Sequence, residues 1–145
     1  MDLPEDNWVI VEGNSEGHPF FMMVNDGLKD FQGRSGFPFC LLMTIQLEDV
    51  QGHKLPTDDE AEILNFIEDT TIEILTAVTL PILIGRETYF GEREILIYFP
   101  ELSDFKKLID SMSRKLNEHR HVSIELHRDP EWLQAQRYLG SFGTA

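Results

Sequence analysis

The chain has 145 residues, 41% of them hydrophobic, which is enough for one domain with a sizeable core and no structural staple. Its formal charge of -14 lies almost wholly in residues 1 to 75, with 16 acidic against 3 basic side chains; a field of that sign repels phosphate backbones, argues against nucleic acid and suits a basic protein partner. The single cysteine, Cys40, excludes an intramolecular disulfide, the opening MDLPEDNW lacks the basic and apolar regions of a signal peptide, and no apolar run nears the roughly 20 residues that cross a bilayer, so a cytoplasmic protein is expected.

NWVIVEGN and HPFFMMVND are rich in β-formers and predict two paired strands joined by a turn at Asn14 to Gly17. Gly27 to Gly36 reads as a loop. Phe37 to Glu48 predicts a long strand, with Phe37, Phe39, Leu41, Met43, Ile45 and Leu47 on one face. The other face, Cys40, Leu42, Thr44, Gln46 and Glu48, starts apolar and turns polar. One end of it should therefore be covered, either within the chain or by a second copy in a homo-oligomer.

Pro56 and Thr57 start the clearest helix, with Glu60 placed for a capping box and Asp58, Asp59 and Glu60 at the positive end of the dipole. Ile63, Leu64, Ile67, Thr71, Ile74, Leu75 and Val78 recur at helical spacing to about residue 77. LPILI and EILIYFP then predict a β-hairpin around the polar linker GRETYFGER. A second helix is expected after a Ser103 cap, with Phe105, Leu108, Ile109, Met112 and Leu116 as its stripe. His121 to His127 predicts a strand with Val122, Ile124 and Leu126 inward, and Asp129 with Pro130 opens a short helix, PEWLQAQRYL, that Gly140 ends. In order these give β-β-β-α-β-β-α-β-α. The expected fold is α+β: a ferredoxin-like sandwich, β-α-β-β-α-β, with two extra N-terminal strands and a short C-terminal helix.

Chemistry-bearing clusters are sparse. His121, Ser123, Glu125 and His127 share the outer face of one strand, but His121 and His127 would stand about 20 Å apart and cannot share a metal. Cys40 sits in an apolar strand, where burial raises a thiol pKa and removes its nucleophilicity. No serine elbow or glycine-rich phosphate cradle occurs, so neither catalytic residues nor a cofactor is assigned. The hairpin charges remain. Arg86 and Arg93 could pair with Glu87, Glu92 or Glu94 across the ladder, or present their forks, beside Thr88 and Tyr89, to a carboxylate-bearing partner or a small anion. Trp132 is expected to fold back onto the core, with Asp129 capping its helix; the alternative is an exposed aromatic anchor. The candidate binding residues are thus Arg86, Thr88, Arg93, Glu94 and Trp132.

Trp8 on the first strand, Pro56-Thr57, the hairpin residues Gly85, Arg86, Thr88, Gly91, Arg93 and Glu94, and the closing Asp129, Pro130 and Trp132 together resemble the domain-of-unknown-function 695 family across nearly the whole chain. The resemblance implies a bacterial α+β domain without an assigned activity, sometimes joined to a domain similar to the ribonuclease E inhibitor, regulator B. It supplies no catalytic residues. The expected function is a non-enzymatic protein-binding or regulatory domain acting through its acidic first half or its hairpin; the alternative is a small anionic-ligand binder or enzyme using Arg86, Thr88 and Arg93 between the hairpin and the terminal helix.

Overall fold

The computed structural model describes residues 3–140. Its elements are β1 (Trp8–Ser15), β2 (His18–Asn25), β3 (Phe39–Gln46), β4 (Val50–Gln51), β5 (Leu55–Pro56), α1 (Asp58–Thr76), β6 (Ile82–Tyr89), β7 (Glu92–Phe99), α2 (Phe105–Leu116), β8 (Val122–Arg128) and α3 (Gln136–Leu139). The fold is α+β. A six-stranded sheet runs in the order β1-β2-β6-β7-β3-β8, every neighbouring pair antiparallel, and β4 with β5 makes a separate two-stranded ribbon. None of the described helices is long and apolar enough to cross a membrane.

Both strand hairpins turn on two residues with positive φ, Glu16-Gly17 (52° and 82°) and Phe90-Gly91 (39° and 89°). Turns of this kind match the twist of the flanking strands, which is why so short a connection suffices. The GRETYFGER linker is consequently almost all strand. Alternation then divides its charges: Arg86, Thr88 and Arg93 face one side of the sheet, and Glu87 and Glu94 the other.

Each face carries its own core. On the helix face, Leu41, Met43, Ile45, Ile95, Ile97 and Phe99 pack against Leu64, Ile67 and Leu75 of α1 and Met112 and Leu116 of α2. On the opposite face, Cys40, Leu96, Tyr98, Ile82 and Ile84 pack under Leu28, Phe31 and Phe37 from the 26–38 segment and Trp132, Tyr138 and Leu139 from the C-terminal segment. Cys40 and its end of β3 are thereby covered within the chain. The two layers are offset. The helices lie over the β8 side of the sheet, and the second layer lies over the β2 and β6 side.

Several boundaries and contacts differ from the sequence reading. Strand β3 begins at Phe39, and in the expected loop Leu28, at the end of a first 3-10 turn, and Phe31, between it and a second, are buried. The β4-β5 ribbon is too short to leave a periodic signal. Thr57 does accept from the Glu60 N–H at 3.3 Å, but the Glu60 carboxylate accepts from Arg120 and the Glu48 N–H, so the capping box is half formed. Asp104, in left-handed backbone and without a side-chain cap bond, replaces Ser103 before α2, Val78 is exposed beyond α1, and the terminal helix shortens to Gln136–Leu139.

Gly85 sits at a bulge in β6, where an added Cβ would lie 2.6 Å from the Met23 carbonyl oxygen and 2.9 Å from Tyr138 Cδ1. The backbone oxygen cannot yield without opening the β2-β6 ladder. We therefore expect Gly85→Ala to lower the urea midpoint, with a loss of about 1–3 kcal/mol measured by equilibrium unfolding.

Candidate functional site

Six strands and two helices leave part of the helix face bare. Beyond α1, the sheet face presents Ile10 and Glu12 from β1, Phe21 and Met23 from β2, Arg86 and Thr88 from β6 and Arg93 from β7, around a cavity of about 220 Å³. Cross-strand register sets this constellation: Ile10 lies opposite Met23, Met23 opposite Arg86, and Thr88 opposite both Phe21 and Arg93. The hairpin residues and the acidic first half of the chain thus meet in one groove.

Its floor is positively charged. Arg86 Nη1 donates to Glu68 Oε2 of α1 at 2.7 Å, while Glu68 Oε1 is buried without a hydrogen-bond partner among the described residues. Arg93 is 9% exposed; its Nε donates to Thr88 Oγ1 at 2.9 Å and its Nη1 to Asn65 Oδ1 at 3.3 Å. No carboxylate of the described residues lies within ion-pair distance of Arg93. Burial, followed by repulsion from Arg86, brings the Arg93 guanidinium down to about 10, with Glu68 opposing the shift. It stays charged at neutral pH. Of the two guanidiniums only Arg86 has a carboxylate partner among the described residues, an arrangement that suits an incoming anion.

The pairings expected across the ladder do not form. Glu87 and Glu94, on the opposite face, both pair with Arg137 of α3, and Tyr138 donates to Glu94 at 3.0 Å. Burial is the main cause that raises the Glu94 pKa, Glu92 and Glu125 add to it, and the Tyr138 bond opposes it. Trp132 is 0% exposed, stacks on Tyr98 with centroids 4.5 Å apart, and donates from Nε1 to the Phe37 carbonyl at 2.9 Å. Its expected return to the core is what the structure shows. Asp129 receives the N–H groups of Leu133 and Gln134 and the Tyr98 hydroxyl. The structure thus brings Arg86, Thr88 and Arg93 together and places Glu94 and Trp132 behind the sheet from them. The concave site adjoins α1 and β1-β2, and the terminal helix lies on the other face.

Two features carried no signal in the sequence. Glu68 looks like any acid on the outer face of a helix until the sheet places Arg86 beneath it. Ile10 and Phe21 look like strand core, yet 65% and 38% of their surfaces are exposed. Cys40, buried and next to Tyr98, is pushed up to about 12 chiefly by desolvation, which makes it inert as a nucleophile at neutral pH. No group of three or more metal-ligating side chains occurs among the described residues.

The model of a family of unknown function, DUF695, matches residues 6–139, and the chain belongs to that family. No curated protein is similar enough to the chain to match it.

Proposed function

We propose that this member of the DUF695 family is a non-enzymatic binding domain that receives a segment of another protein in the groove between α1 and the β1-β2 hairpin. The carrying observation is the mismatch between sheet and helix layer. Strands at a spacing of about 4.8 Å make six of them nearly 30 Å wide. Two helices, each about 10 Å across, leave a strip roughly one helix wide. That strip is apolar at Ile10, Phe21 and Met23 and polar at Arg86, Thr88 and Arg93. It fits an amphipathic segment that turns an acidic side chain toward the arginines, while Glu12 on its wall favours a basic flank.

In this reading Glu94 and Trp132 hold β7 and the opposite layer in place and do not touch the partner. The reading also takes the chain as one cytoplasmic domain with a ferredoxin-like core. The succession β3-α1-β6-β7-α2-β8 and the spatial order β6-β7-β3-β8 support that core.

The test is affinity purification of tagged wild-type protein and of the double variant Arg86→Gln/Arg93→Gln, at about 50 and about 300 mM salt. A partner recovered at low salt, weakened at high salt and lost with the double variant, both proteins being folded by circular dichroism, is the expected result. Equal recovery by the variant overturns the groove. A second reading, a small-anion binder, rests on Arg93 having no carboxylate partner among the described residues. It predicts that phosphate or acetate at constant ionic strength raises the Tm of wild type and leaves the double variant unmoved.

A further inference from the structure

We propose that the free edge of β1 is a strand-addition site for an extended, basic segment of a partner protein, at the rim of the groove, with which it shares Ile10 and Glu12. The register and the Asp26 N–H to Asn7 carbonyl bond place the ladder bonds of β1 at odd-numbered residues, so the backbone groups of Trp8, Ile10, Glu12 and Asn14 point away from β2. Eight residues long, this edge contains no proline and no bulge, and one charge, Glu12. Trp8, Ile10 and Val11 are 39%, 65% and 42% exposed.

An edge of that kind pairs with other chains unless it is blunted. The opposite edge is blunted. The Asn117 side chain donates to the Val122 carbonyl at 3.1 Å and accepts from the Val122 N–H at 3.0 Å, filling both outward groups at the start of β8. Glu125 and Arg128 add charge along the same strand. Among the described residues nothing comparable protects β1.

Charge selects the occupant. The first lysine or arginine in the sequence is Lys29, whereas Glu5, Asp6, Glu12 and Glu16 lie in or beside β1, and none of these four forms an ion pair among the described residues. A second copy would set one charge of -14 against another. A strand alternating apolar residues with Lys or Arg meets both the exposed apolar side chains and the acids, while main-chain bonds supply register and affinity.

The probe is an end-capped decapeptide alternating valine and lysine, followed through Trp8 fluorescence and amide exchange. Binding with slowed exchange at the Trp8, Ile10, Glu12 and Asn14 amides is expected. The same peptide N-methylated on the amides that face β1 keeps its charge and should bind at least tenfold more weakly. On the protein, Ile10→Pro removes one outward N–H without touching the β1-β2 ladder and should weaken binding comparably. Equal binding by the N-methylated peptide or by a glutamate counterpart overturns the proposal. So does a chain that light scattering finds dimeric and that takes up no peptide.

Discussion

Trp132→Ala should remove a large part of the stability of this chain. The indole is wholly buried, stacks on Tyr98, touches Phe31 and ties its N–H to the Phe37 carbonyl. Removing so large a side chain from a packed core costs about 3–5 kcal/mol, against the 5–15 kcal/mol typical of a whole domain. The expected readout is a urea midpoint lower by about 2 M. Trp132→Phe separates the two contributions. It keeps an aromatic ring against Tyr98 but strands the Phe37 carbonyl, for a loss of about 1–3 kcal/mol. If Trp132→Ala unfolds at the wild-type midpoint, the indole is not the keystone of the layer opposite the helices.

Glu60→Ala should cost about 3 kcal/mol, the lower end for breaking a buried ion pair. Glu60 is 0% exposed, and its two carboxylate oxygens accept from Arg120 at 2.9 and 2.5 Å, one of them also from the Glu48 N–H at 2.8 Å. This single group joins the start of α1, the end of β3 and the approach to β8. The Arg120 bonds are the leading reason that its pKa is lowered from 4.5, and burial opposes them. A carboxylate depressed by folding adds stability that is complete above its unfolded pKa and disappears as pH falls through the folded one. The gap between wild type and Glu60→Gln, measured by urea unfolding, should accordingly be widest near neutrality and shrink below about pH 4. A gap independent of pH would show that the ionised carboxylate is not what the fold uses.

The strands and helices were legible in the sequence because their patterns are local. Alternation from Phe39 to Ile45 and the helical spacing from Leu64 to Leu75 each follow from burial on one face, and the structure keeps both. The burial of Trp132 was also readable, since a large aromatic just after a strand has few places to go, whereas Asp129, expected as a helix cap, instead holds the turn at Leu133 and Gln134, and Ala135 precedes the helix. Partnership was not legible. Glu60 looked like a capping residue because its partner, Arg120, lies far along the chain, and Arg86 looked paired with its hairpin neighbours because neither the two-residue turn that sets Arg86 opposite Ile95 nor Glu68 of α1 above it shows in the hairpin sequence. The groove escaped for the same reason: it arises from the offset of the two layers, which no single segment encodes.

The position of the β1-β2 hairpin also sets an order of events during synthesis. It joins the sheet through β6, with Phe20 opposite Tyr89, so the ribosome delivers this hairpin long before the strand that will hold it. An isolated hairpin is at best marginally stable in water. For that interval, nascent Phe20, Phe21, Met22 and Met23 have neither sheet nor second layer to cover them. The acids at Glu5, Asp6, Glu12 and Glu16 then act as gatekeepers for the growing chain, keeping an otherwise sticky segment dispersed until β6 emerges.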